Sequence, residues 1–176
     1  MVKNLDTDHY RNGDPIPEVK DTVQWSKLTT GAWCYYNNDS AHGKIYGKLY
    51  NWYAVNDPRG LAPAGWHIPG DKDWSILEIQ LGGIDKAGGK MKETDTTHWA
   101  SPNEGATNSS GFMALPGGYR YVNGKFYDLG ASVSWWSAAE ASVTDAWARG
   151  LSSDGESVGT DGAYKRSGFS VRCVKD

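Results

Sequence analysis

A chain of 176 residues, with 18 Lys and Arg against 21 Asp and Glu, has the length of one ordinary domain and a formal net charge of −3. No four basic residues stand in a row, so the clustered charge that displaces counterions from phosphate is missing, which argues against a nucleic-acid partner. No apolar stretch approaches the ~18 residues of a membrane-spanning helix.

The elements follow in chain order. Residues 4–30 mix turn signals, Asn12-Gly13-Asp14-Pro15, with short apolar pieces and read as an irregular cap with at most one short strand. Trp33 to Tyr36 reads as a strand entering a turn at Asn37-Asn38-Asp39. Tyr46 to Val55 is rich in Tyr, Trp and Leu and fits either a strand or a short buried helix, because periodicity does not separate the two. A helix is expected from Asp71 to Leu81, with Asp71 and Asp73 on its first turn, Gly82-Gly83 stopping it, and Trp74, Leu77, Ile79 and Leu81 as its apolar contacts. After Gly88-Gly89 the chain reads as irregular through Trp99 and Asn108. Phe112–Leu115, Gly118–Val122, Lys125–Asp128, Ser134–Ser137, Ala146–Leu151 and Ser167–Val174 read as strands, with Asn123-Gly124 as a two-residue hairpin turn. No internal repeat or linker interrupts 1–176, which reads as one domain.

Composition sets the kind of core. Nine Trp and ten Tyr supplement a modest aliphatic supply, and each aromatic removed from water buries roughly 150–250 Å². Trp66, Trp74 and Leu115 are expected in that core. Twenty-two Gly and seven Pro, scattered between the aromatic runs, imply many turns and few long helices. Trp135 and Trp136 point to opposite faces if they lie on a strand, and both are expected in the core. Cys34 and Cys173 are the only cysteines and allow at most one disulfide, buried thiols being the alternative. Met1 leads directly into Val2 and Lys3, which reads as no signal peptide, or as a piece trimmed from a longer exported protein.

Metal sites have little support. His67, with Asp71 and Asp73 nearby, has no second His close in sequence, so a hydrogen-bonded structural role is expected. Asn37-Asn38-Asp39 and Asn56-Asp57 offer oxygen ligands for calcium, but turn formation explains them equally well.

Several blocks in register resemble one family. Tyr46-Gly47-Lys48-Leu49-Tyr50-Asn51-Trp52-Tyr53-Ala54-Val55, Gly60 to Pro69, Trp74, Leu77, Leu81-Gly82-Gly83, Ala114 to Arg120, Trp135-Trp136-Ser137 and Gly168 to Val174 resemble the Fibrobacter major paralogous domain family. That family looks like a distant relative of the formylglycine-generating enzymes. The resemblance implies an α+β, C-type-lectin-like fold with short strands, few helices and much irregular loop. It also implies a bacterial extracellular or cell-surface location.

One departure from the family pattern points to a site. Members often carry Tyr and Asn between Ala146 and Gly168, where this chain has Ala148, Gly150, Ser152, Ser153, Asp154, Gly155, Ser157, Gly159, Thr160, Asp161, Gly162, Ala163, Tyr164, Arg166 and Ser167. The family's usual residues stand between them at Arg149, Leu151, Val158 and Lys165. This resembles the variable proteins of diversity-generating retroelements, in which Asn codons are randomised at adenines. Ser, Gly, Asp, Thr and Tyr also supply adaptable contacts, as in antibody paratopes. Residues 141–167 are therefore expected to display a variable surface for a protein or carbohydrate ligand. A plain solvated loop face is the alternative. Large aromatic anchors are missing from the segment apart from Tyr164, so weak binding is expected of this copy.

Catalysis is not expected. The oxidase chemistry of the related enzymes resembles thiol chemistry supported by copper and a cysteine pair. Here Cys173 stands in Gly168-Phe169-Ser170-Val171-Arg172-Cys173, which resembles the end of those enzymes and not their reactive pair. No Gly-x-Ser-x-Gly elbow supports a serine nucleophile. A structural or adhesive envelope module without diversification is the remaining reading.

Overall fold

The computed structural model describes residues 3–176. It is a mixed α/β structure with few helices, and its organising element is a curled sheet of order β5-β4-β6-β7-β8. The strands are β4 (Gly117–Arg120), β5 (Phe126–Leu129), β6 (Ser132–Glu140), β7 (Asp145–Ser152) and β8 (Gly159–Tyr164). β4 runs parallel to β6 and the other neighbours are antiparallel. The remaining strands form two small ladders, β1 (Trp33–Cys34) with β2 (Leu49–Tyr50), and β3 (Trp66–His67) with β9 (Val174–Lys175).

Both sheet faces are covered, and the Trp pair on β6 shows why. Successive strand residues point to opposite sides, so Trp135 and Trp136 enter different cores, each without solvent exposure. Trp136 packs with Tyr50, Trp52, Val171 and Phe169, its ring centre 4.4 Å from that of Phe169. Trp135 packs with Trp74, Met91, Trp99 and Leu151. Each indole N–H finds an acceptor, Trp135 at Asn4 Oδ1 and Trp136 at the Tyr50 carbonyl. A third cluster holds Trp25, Cys34, Tyr36 and Leu49. Cys34 and Cys173 fall in different clusters, so no disulfide joins them.

Local chemistry sets the short elements. The cap expected to be irregular contains a helix, α1 (Thr22–Ser26), because the Asp21 carboxylate accepts from the Gln24 N–H at 2.7 Å. Asp39 caps α2 (Ser40–Tyr46) in the same way. The ambiguous block 46–55 is strand and then helix. β2 ends at buried Asn51, whose side chain caps α3 (Trp52–Val55) while also accepting from the Ala32 N–H.

The expected helix at 71–81 is α4 (Asp71–Gln80), with Trp74 buried and Leu77 and Leu81 packed beside it. Ile79 corrects the expectation, since it is 74% exposed. Trp66 and Leu115 are half-buried and not core. A further helix, α5 (Ile84–Met91), which the sequence did not announce, runs through Gly88-Gly89 and ends just inside the stretch expected to be irregular. Those glycines serve close packing: a Cβ on Gly88 would lie 2.5 Å from the Ser157 carbonyl oxygen, and one on Gly89 would strike that of Gly105.

Two more expectations change. The hairpin turn spans Tyr121–Gly124, closed by the Gly124 N–H on the Tyr121 carbonyl, and of the Asn123-Gly124 pair Gly124 alone takes a positive φ. Residues 167–173 form a fully buried extended segment making isolated bridges to Tyr50, Arg120 and Trp135, with regular pairing at 174–175 alone. Beside it, buried Arg120 donates to the carbonyls of Val19, Lys20 and Gly124 and lies over the Trp25 ring. No helix among the described residues is long and apolar enough to cross a membrane.

Candidate functional site

Residues opposite one another in register share a sheet face. Trp136, Ala148 and Asp161 are opposite across β6, β7 and β8, as are Ser134, Gly150 and Gly159. Under its inner part this face carries the Trp136 core. Toward its margin the side chains shrink to Ser134, Ala148 and Gly150, leaving an open cleft of about 740 Å³. Rigid paired strands therefore form the floor.

Tyrosines form the wall. Tyr119 stacks on Tyr127, ring centres 5.7 Å apart, and meets Phe169 edge-on. Tyr121 continues the row, 6.3 Å from both Tyr127 and Tyr164. Tyr119, Tyr121, Trp147, Tyr164 and Phe169 all line the cleft. The expectation that aromatic anchors are missing is corrected here, because apart from Tyr164 and Trp147 they come from outside the polar segment. Tyr119 and Tyr121 flank Arg120 on a strand next to a visible hairpin signal, so the period of two already places both rings on one face.

The polar groups of the cleft are acidic or hydroxylic. Asp145 accepts from Ser142 Oγ and Thr144 Oγ1, and these bonds, the Thr144 one foremost, hold its carboxyl below the usual range. Asp161 is exposed, and its carboxylate has no hydrogen-bond or ion-pair partner among the described residues. Among the described residues no Lys, Arg or His lines the cleft.

The structure divides the expected site residues. Ala148, Gly150, Asp161, Gly162, Ala163, Tyr164 and Ser167 line the cleft. Gly159 and Thr160 are exposed on β8 just beyond it, and Arg166 is exposed after the strand, its carbonyl accepting from Trp25 Nε1. Ser152, Ser153, Asp154, Gly155 and Ser157 lie elsewhere, Ser152 at the end of β7 and the others in the loop after it, which docks on α5. Fully buried Lys92 inserts its ammonium between the carbonyls of Glu104, Ser152 and Gly155 at 2.8–3.0 Å. Burial pushes that lysine's pKa down.

Three candidates are corrected on burial, Ser167 among them at 2% exposed. Ser153 is 9% exposed and exchanges backbone hydrogen bonds with Ala131 and Glu104. Ala148 is 5% exposed and belongs as much to the Trp136 core as to the cleft floor.

The other sequence candidates have structural partners. His67 Nδ1 sits 2.8 Å from Asp176 Oδ1 and Nε2 3.5 Å from Asp73, while Asp71 faces Arg149 and Ser137. Asp57 pairs with Arg59, which lowers its pKa to about 2. Asn37 and Asn38 take positive φ in a turn. Among the described residues no group of three or more His, Cys, Asp or Glu is placed to hold a metal ion.

No curated protein and no solved structure matches the chain significantly. A family model does match, described as the Fibrobacter succinogenes major domain, and it covers residues 1–175. The chain, with its tyrosine-walled cleft on a curled sheet, belongs to the Fibrobacter succinogenes major domain family.

Proposed function

We propose that this chain is a non-enzymatic ligand-binding domain of the C-type-lectin-like class, one domain over residues 1–176, that recognises its partner in the tyrosine-walled cleft. The observation that carries this reading is the convergence of Gly150, Asp161, Gly162 and Tyr164 with Tyr119 and Tyr121 on one open face built on paired strands. Rigid strands hold contact residues more accurately than loops do, and aromatic rings are the usual anchors of recognition. Small residues on the floor suit a surface that accepts new side chains without disturbing the core, as retroelement diversification requires. Display outside the bacterial cell goes with that role.

The thiols support the absence of oxidase chemistry. Burial pushes Cys34 up to about 12 and Cys173 up to about 11, so neither presents a thiolate near neutral pH.

The test is a displayed library randomised at Gly150, Gly159, Asp161 and Tyr164 and selected against unrelated proteins and glycans. Binders that melt within a few degrees of the parent are expected. A library in which most members fail to fold overturns the reading. The flanking DNA tests diversification separately: a near-identical template repeat differing at adenines, beside a reverse transcriptase, is expected.

A further inference from the structure

This inference rests on the cleft being the binding surface and names what it takes. Elsewhere the chain repeatedly sets a cation over its aromatic rings: Lys48 lies 4.5 Å from the centre of the Trp33 ring, Arg120 4.3 Å from Trp25 and Lys165 4.9 Å from Trp52. Among the described residues no cation covers the rings of Tyr119, Tyr121 or Tyr164, although they stand in an open cleft beside two carboxylates. Lys165, whose charge is felt at Asp145, does not line the cleft and is held by Glu140 and the Val143 carbonyl. Arg166 does not line the cleft.

We propose that the cleft binds an organic cation, the guanidinium or ammonium of an arginine or lysine carried on a polypeptide, with the tyrosine row supplying the ring faces and Asp161 the opposite charge. Ring faces attract cations through their quadrupole within about 6 Å of the ring centre, and a guanidinium stacks there while keeping its N–H fork free for a carboxylate. Asp161 suits that partner because its oxygens are unclaimed. An open cleft of about 740 Å³ admits a side chain together with its flanking backbone, and the chain's net charge of −3 adds a weak general attraction.

The test is a titration of the ¹⁵N-labelled chain with an acetyl-Ala-Arg-Ala-amide peptide, the same peptide with neutral citrulline for arginine, spermidine, and cellobiose. The arginine peptide is expected to shift the amide resonances of Gly150, Asp161 and Tyr164, and the citrulline peptide to shift them far less. Asp161→Asn and Tyr164→Ala, whose spectra report folding independently, should each weaken binding roughly two- to fivefold. Equal shifts with citrulline, or larger ones with cellobiose, overturn the cation and leave the cleft a binding surface. Spermidine binding more tightly than the arginine peptide overturns the polypeptide carrier. No shift at the cleft with any of the four probes overturns the cation and the binding reading together.

Discussion

Arg149 Nε donates to Glu78 Oε1 at 3.0 Å, tying the strand under the cleft to α4 with both side chains almost wholly out of water. The second contact of this guanidinium, Asp71 Oδ1, is longer at 3.4 Å, and its Nη1 has no partner among the described residues. Removing Glu78 from this buried pair leaves Arg149 with the longer contact to the half-exposed Asp71 as its remaining charge partner. Glu78→Ala should therefore cost about 3–5 kcal/mol, measured by urea denaturation. A loss within the range of an ordinary surface change would mean that water reaches Arg149.

Lys92 performs a similar task with carbonyls in place of a carboxylate. Lys92→Met keeps most of the stem and removes the donors that Glu104, Ser152 and Gly155 share. A loss of about 3 kcal/mol is expected. Faster amide exchange should be confined to 153–158 and the segment facing it. Uniformly faster exchange would contradict a local role.

Two glycine substitutions separate the cleft from the scaffold. A Cβ on Gly159 meets its nearest atom at 3.6 Å, an ordinary contact, so Gly159→Tyr should change stability by no more than about 0.5 kcal/mol. Gly88→Ala gains about 1 kcal/mol of helix propensity, but its Cβ meets the backbone oxygens of Ser157 and Glu156 at 2.5 and 2.8 Å. Backbone cannot step aside as a flexible side chain can, so a net loss of about 1–3 kcal/mol is expected by thermal melting.

His67 should make stability depend on pH. The Asp176 hydrogen bond first, and then the Asp73 charge, raise its pKa above the ordinary value. The folded chain then holds this proton more tightly than the unfolded chain does. The contribution is complete below about pH 6.5 and disappears as pH rises through the higher folded-state value. His67→Gln should narrow its gap to the native chain between about pH 6 and pH 8. A gap that widens with rising pH would reverse the sign of the linkage.

Both thiols should resist modification while the chain is folded. Only the thiolate is nucleophilic, and burial raises Cys34 to about 12 and Cys173 to about 11. Thiol titration at mild alkaline pH is expected to be slow in buffer and complete for both residues in urea. Rapid reaction of either in buffer would show that its cluster opens.

Much of the local architecture was legible in the residues. Strand alternation predicts the two destinations of Trp135 and Trp136, Asp71 and Gly82-Gly83 bracket α4, and the small polar residues of β8 do lie in solvent. These follow from period, capping and turn chemistry, which act over a few residues. α5 was hidden for a specific reason: Gly88 and Gly89 lower helix propensity, and what they serve is close approach to distant backbone, Gly88 to Ser157 and Gly89 to Gly105.

The candidate site shows the same division. Residues 148–167 announce themselves by composition, and the sequence by itself determined that polar, small-residue stretch, the aromatic supply and the family. Tertiary structure alone decided that seven residues of the stretch line a cleft while Ser152 to Ser157 pack on α5 under the grip of Lys92, and that Tyr119 and Tyr121 wall the cleft. Such placements depend on which distant backbones come within a few ångströms of each other, and no local pattern carries that distance.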